Sequence, residues 1–237
     1  VLGTTVFNMK TNDFDFHRGP IFADIVLVDE INRAPAKTQA ALFEVMEERQ
    51  VSIDGMTYPM GELYTILATQ NPVEQEGTYK LPEAQLDRFL MKITMDYPTL
   101  YEEINIFERH HTNAAFVKLE DIASTITKEE LLSLRKLMNQ VFIDRTLLQY
   151  IAMIVQQTRT SKAVYLGASP RASVAMLQTS KAYALLQGRD FVTPEDIKFV
   201  APYVLQHRLI LTAEAEMEGY SSVKVTQRLI DKVEVPK

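Results

Sequence analysis

The chain of 237 residues is long enough for one large domain or two small ones, and its 46% hydrophobic and 24% charged residues are typical of a globular protein. Its formal net charge of −6 argues against a nucleic-acid binder that depends on bulk positive charge. The absence of Cys excludes a disulfide framework, a thiolate metal site and a cysteine nucleophile, and it fits a reducing compartment such as the cytoplasm. No apolar run approaches the roughly 20 residues of a membrane span.

The first part of the chain predicts a β-hairpin followed by a buried strand. Residues 4–7 and 13–16 are short runs with β character, and turn residues separate them. Four consecutive apolar residues, Ile25–Val28, are typical of a strand that is buried on both faces of a parallel sheet. Asp29 and Glu30 follow this strand directly.

Two adjacent carboxylates at the end of a buried strand have a specific chemical use. Ligands of open α/β sheets bind beyond the carboxyl ends of the strands. There Asp29 can hold Mg²⁺, usually through water, and Glu30 can orient a water for attack on a phosphoryl group, which is the logic of a Walker B motif. A strand that ends in a solvated acidic turn gives the same pattern, and residues 25–30 alone do not decide between the two interpretations.

The middle of the chain predicts a helix, a second hairpin and two more strands. Residues 36–50 carry apolar side chains on one side and charged ones on the other, as in an amphipathic helix. Asp54-Gly55 between two alternating runs is a strong signal for a two-residue hairpin. Residues 64–71 predict a second apolar strand that ends in the amide of Asn71. The remaining predicted elements of this part are a short helix over 84–89 and a third strand over 91–95.

The chain changes character at Pro98, after which no further strand is predicted. We therefore expect residues 1–97 to form an α/β domain and residues 98–237 to form an all-helical domain. Thr127 and Glu130 have the spacing of a capping box at a helix start. The predicted helices cover 99–111, a segment from 127 onward, 142–158, 169–187 and a segment from 193 onward.

Asn71 and Arg88 are candidates for contact with a phosphate or with an attacking water. Asn71 ends the strand that should lie beside the Asp29 strand, where an amide can orient a water or touch a γ-phosphate, but Asn before Pro also commonly starts a turn. Arg88 can act as an arginine finger on a neighbouring subunit, or it can pair with Asp87 or another acid in a structural role. Taken alone, each residue is better explained by its structural role.

Arg171 is more informative because it breaks a local rule. It lies in the first turn of the helix that Ser169-Pro170 opens, where a cation faces the positive end of the helix dipole. Violations of local preference concentrate at functional sites, and this arginine is suited to meeting a phosphate at a domain boundary. A surface arginine that pairs with a nearby acid is the alternative.

The four histidines are interpreted as structural or solvated. The adjacent His110 and His111 point to different sides of a helix and make a poor metal pair, while His17 and His207 are isolated. The charge run at residues 44–49 is most simply a solvated helix face. No Ser or Thr lies in a nucleophile motif.

Taken together, these segments resemble the MoxR family of AAA+ ATPases over essentially the whole chain. The resemblance rests on GPIFADIVLVDEINRAPAKTQAALFEVMEERQV, ILATQNPVEQEGTYKLPEAQLDRF and GASPRA, in that order. It implies an AAA+ P-loop-type α/β core in three layers, followed by an α-helical lid. By this resemblance Asp29 and Glu30 are the Walker B acids, Asn71 is sensor 1, Arg88 is the arginine finger and Arg171 is sensor 2.

The resemblance also implies cofactors and partners. ATP and Mg²⁺ are the expected cofactors, with Asp29 holding the metal, Asn71 and Arg171 near the nucleotide, and Arg88 joining catalysis. The hairpin of residues 4–16 is similar to the helix 2 insert, and the hairpin around Asp54-Gly55 is similar to the pre-sensor-1 hairpin; in related machines both face a central pore. A homo-oligomeric ring, a hexamer, and partners with von Willebrand factor A domains are expected, with no nucleic acid and no membrane span.

One departure from the family pattern is serious, because no G-x-x-x-x-G-K-[ST] segment occurs in the 237 residues. That loop supplies backbone N–H groups and a lysine to the phosphates. In the family it precedes the point where this chain begins, so we expect a fragment that binds ATP poorly by itself. The strand over 64–69 should then have an open edge and half-uncovered apolar faces.

Several functions compete on these grounds. ATP hydrolysis that remodels, assembles or activates a partner protein is the leading hypothesis. A nucleic-acid motor is disfavoured because residues 51–59 at the second hairpin contain no Lys or Arg to grip phosphates. A subunit of a metal chelatase, and a non-hydrolysing interaction module in this truncated form, remain alternatives.

Overall fold

A computed structural model describes residues 1–10, 12–53, 55–71, 81–112 and 122–236. The strands are β1 (Gly3–Asn8), β2 (Asp13–Arg18), β3 (Ile25–Val28), β4 (Gln50–Ile53), β5 (Met56–Pro59), β6 (Thr65–Ala68), β7 (Val164–Leu166) and β8 (Ile210–Leu211). The helices are α1 (Ala36–Glu48), α2 (Glu83–Leu86), α3 (Leu100–His111), α4 (Lys128–Gln140), α5 (Arg145–Thr160), α6 (Pro170–Leu186), α7 (Pro194–Leu205), α8 (Ala213–Met217) and α9 (Ser222–Asp231). A short 3₁₀ segment covers Ile31–Arg33.

Both predicted hairpins are confirmed. β1 and β2 pair antiparallel from Gly3 opposite Arg18 to Asn8 opposite Asp13. β4 and β5 pair antiparallel in the same way. The predicted turn residues Thr11 and Asp54 lie outside the described residues, so the hairpins are defined by their strands.

The central pair of strands is parallel, as predicted for the strands that carry Asp29 and Asn71. β3 and β6 run in register from Ile25 opposite Thr65 to Val28 opposite Ala68. The prediction that β3 is buried on both faces is wrong, because Ile25 is 61% and Leu27 67% exposed. Only the face that carries Val26 and Val28 packs against a hydrophobic core in the described part of the chain.

The open-edge prediction for the second strand is confirmed within the described ranges. Among the described strands, β6 pairs only with β3, and Leu67 is 54% exposed. The core beneath the covered face is built around α1, because its apolar residues recur at helical spacing and point to one side. The buried members are Ile21, Ile31, Leu42, Phe43, Val45, Val51, Tyr64 and Leu81.

The predicted strand over residues 91–95 is wrong. A strand needs a ladder partner, and no described strand lies beside this segment. Its backbone turns to the helical part instead, where the Lys92 N–H donates to the carbonyl of Tyr203 at 2.9 Å. The segment therefore ties the two parts of the chain together.

The helical part follows the predicted helix starts closely. Thr127 and Glu130 form a capping box at α4, Ser169 caps α6, and Pro194 opens α7. The prediction that no strand follows Pro98 is wrong, because β7 and β8 form a small antiparallel pair. Strands of three and two residues are too short to show a period in the sequence.

The helical part has its own hydrophobic core, which α5, α6, α7 and α9 build around Tyr150, Ile154, Met176, Ile197 and Leu205. Across the described ranges, no helix has both the length and the apolar character that a membrane crossing requires.

Candidate functional site

The carboxyl ends of β3 and β6 bring Asp29, Glu30 and Asn71 to one edge of the parallel pair. The Thr69 hydroxyl donates to Oδ1 of Asp29 at 2.5 Å and accepts the backbone N–H of Glu30 at 2.9 Å. The Ile31 N–H also donates to the carbonyl of Thr69 at 3.0 Å. Thr69 therefore fixes the position of both acids from the neighbouring strand.

Glu30 adopts an unusual backbone conformation at the end of the strand. Its φ of 49° lies in the left-handed region, which is uncommon for a residue other than glycine. Such outliers persist only where the surrounding structure over-determines them, and they cluster at active sites. Here the hydrogen bond to Thr69 and an ion pair of 3.2 Å between Glu30 and Arg33 hold the turn.

Asn71 is linked to the acidic turn through Asn32. The Asn32 side-chain amide donates to the Asn71 carbonyl at 3.3 Å, while Oδ1 of Asn32 is buried and has no hydrogen-bond partner among the described residues. Sequence reasoning missed both Thr69 and Asn32. Their positions in the sequence could have identified them. Each is a polar residue two positions away from a predicted site residue, Asn71 or Glu30, that follows a strand.

Arg88 and Arg171 meet at a single carboxylate, Glu47, near the end of α1. Arg88 Nη1 lies 2.7 Å from Oε2 of Glu47, and Arg171 Nη2 contacts Oε1 of the same side chain. Arg88 also donates to the Phe43 carbonyl, one turn earlier in α1, at 3.0 Å. The expectation that residues 44–49 are only a solvated helix face is therefore wrong at Glu47.

The pairing of Glu47 with Arg171 explains why both residues occupy unfavourable helix positions. Glu47 lies at the negative end of α1 and Arg171 at the positive end of α6, and each placement costs about 0.3–1 kcal/mol. The two opposite charges offset each other where the helix ends meet. The side chains are 31–50% exposed, and such pairs contribute only about 0–1 kcal/mol to stability. Stability alone gives little reason to place them there.

Asp87, beside Arg88, is anchored to the helical part. Arg208 donates from Nε to Oδ1 of Asp87 at 2.9 Å, and its guanidinium also donates to the carbonyls of Asp87, Phe89 and Leu90. The Ser169 hydroxyl, at the start of α6, donates to Oδ2 of Asp87 at 2.8 Å. Sequence reasoning missed Arg208, which is buried and belongs to a segment without a motif.

His207 is structural, as expected. Its Nε2–H donates to the Phe89 carbonyl at 3.0 Å, and its Nδ1 is buried with no hydrogen-bond partner in the described part of the chain. Burial, with a smaller effect from the neighbouring Arg208, lowers the pKa of His207 to about 4. The imidazole is therefore neutral at physiological pH.

The structure thus brings the candidate residues into two groups. Asp29, Glu30 and Asn71 lie at the ends of β3 and β6, whereas Arg88 and Arg171 share Glu47 at the end of α1. Arg88 and Arg171 therefore pair with Glu47 and not with Asp29 or Glu30.

The residues at the ends of β3 and β6 can provide oxygen ligands for a metal ion, but the sequence contains no loop that binds the phosphates. Carboxylate, hydroxyl and amide oxygens are the donors that Mg²⁺ prefers, and Asp29 and Thr69 supply them together. Among the described residues, no group of three or more His, Cys, Asp or Glu is arranged to hold a metal ion. The phosphate-cradling loop is not in this sequence.

Comparisons with known proteins show which family the two parts of the chain resemble. The family model described as ATPase family associated with various cellular activities (AAA) matches residues 1–91, and the AAA lid domain model matches residues 156–231. The crystal structure of a Cytophaga hutchinsonii protein assigned as an ATPase superposes with a TM-score of 0.88 at 40% identity, and the match covers all of this chain and 73% of that one.

Two relatives extend the match along the whole chain. The chain is 44% identical over 236 residues to the uncharacterised protein YeaC of Bacillus subtilis, of which it covers 73%. It is 42% identical over 245 residues to the chaperone MoxR1 of Mycobacterium tuberculosis, and it spans 64% of that protein's length. With its AAA core, its lid and its similarity to these relatives along the whole of this chain, the chain belongs to the MoxR family of AAA+ ATPases.

Proposed function

We propose that this chain provides the Walker B, sensor and lid elements of an ATPase that hydrolyses ATP to remodel, assemble or activate a partner protein. One observation carries the proposal: Asp29 and Glu30 follow β3, and Asn71 follows the parallel neighbour β6, with Thr69 hydrogen-bonded to both acids. That arrangement supports phosphoryl transfer to water, because it places two carboxylates and an amide at one sheet edge.

Asp29, Glu30 and Asn71 have different roles in this proposal. Bound ATP and Mg²⁺ would supply the electrophilic phosphoryl group and neutralise its charge. Asp29 would hold the Mg²⁺, and the hydroxyl of Thr69 fixes the orientation of the Asp29 carboxylate. Glu30 accepts a proton from the attacking water, which Asn71 orients. Glu30 must first give up its ion pair with Arg33 to do this.

Arg88 and Arg171 sense the terminal phosphate. Since both guanidinium groups reach the same carboxylate, they are close enough to serve one phosphate together. Both therefore act on the same nucleotide, whether it belongs to their own subunit or to a neighbour. Cationic groups beside a terminal phosphate stabilise the charge that develops in the transition state.

The assembly we propose is a homo-oligomeric ring, a hexamer, in which the hairpins face the client. Phe7 and Phe14 lie exposed on the first hairpin and pack edge to face with ring centroids 5.1 Å apart. Exposed aromatic side chains suit a protein client better than a phosphate backbone. Partners with von Willebrand factor A domains, named by the family resemblance, are the first to test.

The decisive experiment measures nucleotide binding and Mg²⁺-dependent hydrolysis. We would compare this chain with a longer polypeptide that carries the upstream P-loop segment implied by the family resemblance. The longer polypeptide should bind and hydrolyse ATP, and its Glu30→Gln variant should bind ATP without turnover. The 237 residues alone should bind ATP poorly, because the phosphate cradle is not among them.

The matched control is Glu216→Gln at an exposed position of α8, and this variant should hydrolyse ATP like the unmodified protein. Failure of the longer polypeptide to bind ATP would overturn the proposal. Full turnover by Glu30→Gln would be compatible with ATPase activity but would show that Glu30 does not accept the proton from water.

A further inference from the structure

Glu47 stands out because both phosphate-sensing candidates bind it. One carboxylate oxygen faces Arg88 and the other faces Arg171, so the two cations come together around one anion. Arg88 comes from the segment after α2 and Arg171 from the first turn of α6. Without an anion between them, two guanidinium groups this close would repel each other.

The attachment of the two arginines to α1 is unequal. Arg88 is held twice, by Glu47 and by the Phe43 carbonyl, and the adjacent Phe89 packs edge to face on the Phe43 ring. Arg171 binds through Glu47, and its side chain is half exposed. Glu47 is therefore the link by which the lid arginine is placed beside the core arginine.

We propose that Glu47 is a positioning residue for ATP hydrolysis: its carboxylate holds Arg88 and Arg171 side by side, so that both act on the same phosphate. The inference rests on the proposed function, since it assumes that the arginines contact a nucleotide. Glu47 does not itself touch the nucleotide in this scheme. It sets the distance between two cations before the phosphate arrives and thereby lowers the entropic cost of aligning them.

A purely structural role for Glu47 is less consistent with its surroundings. The helix α1 is anchored by Leu42, Phe43 and Val45, which are all buried in the core. Glu47 is partly exposed at the end of that helix, and Glu48 beside it has no ion pair within the described residues. Neutralising Glu47 should therefore leave the core intact.

The test is a set of variants in the longer polypeptide with the P-loop segment. Glu47→Gln should lower kcat by about tenfold or more, with KM for ATP changed less than about threefold, because alignment rather than nucleotide binding is lost. Glu47→Asp keeps the charge and should recover part of kcat. Glu48→Gln, the matched control on the next residue, should behave like the unmodified protein.

A double-mutant cycle separates positioning from a general structural effect. In a background that already carries Arg88→Ala and Arg171→Ala, Glu47→Gln should cause little further loss of kcat, since its targets are gone. Thermal unfolding of the nucleotide-free protein supplies a second measurement. There the combined Tm change of Glu47→Gln and Arg171→Ala should be smaller than the sum of the single changes.

Each outcome decides one claim. Unchanged kcat in Glu47→Gln, an equal loss in the background without the arginines, or additive Tm changes would each overturn the positioning role while leaving the ATPase intact. Absence of hydrolysis by the unmodified longer polypeptide would instead overturn the proposed function, and this inference with it.

Discussion

Arg208, in the turn after α7, donates from Nε to Oδ1 of Asp87 at 2.9 Å, across 121 positions of sequence. The guanidinium is almost fully buried, and it also binds the carbonyls of Asp87, Phe89, Leu90 and Val204. This contact joins the lid to the residue that precedes Arg88, so its loss should affect both parts of the chain.

Arg208→Ala should destabilise the protein strongly, by about 3 kcal/mol, because it leaves a largely buried Asp87 carboxylate without its cation and several carbonyls without a donor. Denaturant unfolding measures the change. Arg109→Ala on the exposed face of α3 is the matched control and should change stability by less than about 0.5 kcal/mol. Equal effects of the two variants would contradict a special role for Arg208.

Thr69→Val should impair hydrolysis without unfolding the protein. The valine keeps the shape of the side chain but removes the hydroxyl that donates to Asp29 and accepts from the Glu30 N–H. We expect kcat to fall by about tenfold, because both acids lose a fixed orientation. Thr69→Ser keeps the hydroxyl and should retain most of the activity. Steady-state kinetics on the polypeptide with the P-loop segment would decide, and normal turnover by Thr69→Val would remove Thr69 from the site.

Gly167→Ala should disturb the loop that presents Arg171. A Cβ at this position would lie 2.8 Å from the Thr158 carbonyl and 2.8 Å from the Arg159 Cα, both backbone atoms of α5. Overpacking of this kind costs about 1–3 kcal/mol. Thermal unfolding should show a lower Tm, and ATP turnover should fall with it.

Gly61→Ala is the matched control for that variant. Its added Cβ would approach only the end of the Asp24 side chain, at 3.1 Å, and this side chain can move away. A Tm for Gly167→Ala as high as that of Gly61→Ala would show that the loop adjusts without cost.

Acid should destabilise the contact between the lid and the segment around Phe89 through His207. The pKa of His207 is lowered to about 4 in the folded state by burial and by Arg208 and Lys92, against the opposing effects of the Phe89 carbonyl and Asp87. In the unfolded chain it is about 6.5, so between these values the unfolded state binds the proton. Stability from this group is therefore complete above about pH 6.5 and is lost as the pH falls toward 4, by about 1–3 kcal/mol.

His207→Gln should flatten that part of the pH profile. The measurement is the difference in unfolding free energy between pH 7.5 and pH 5, compared for the unmodified protein and the variant. His111→Gln, on the exposed end of α3, should leave the difference unchanged. An identical pH dependence in the His207→Gln variant would show that His207 is not the responsible group.

Several local features could be read from the sequence because short-range chemistry decides them. An apolar run followed by Asp29 and Glu30 produced a strand with both acids at its end. Thr127 with Glu130 produced a capping box, and Ser169-Pro170 produced a helix start. The unfavourable placement of Arg171 in the first turn follows from that helix start alone.

Other features depended on partners that are distant in sequence. Residues 91–95 have the composition of a strand, but they form none because no neighbouring strand pairs with them in the described chain. Ile25 and Leu27 are apolar yet exposed, because burial of a strand depends on the layer packed against it. Strand pairing and side-chain burial depend on the elements that pack against a segment. The local sequence of the segment does not specify those elements.

The sequence by itself determined the family, the acidic pair after β3 and the helices of the lid, since each depends on neighbouring residues and their periodicity. Only the tertiary structure decided that Arg88 and Arg171 share Glu47, that Thr69 holds both acids, and that Arg208 secures Asp87. Glu47 and Arg171 are 124 positions apart. Their contact arises because two helix ends are packed together, and a charge on a helix surface gives no sign of the partner that packing will bring to it.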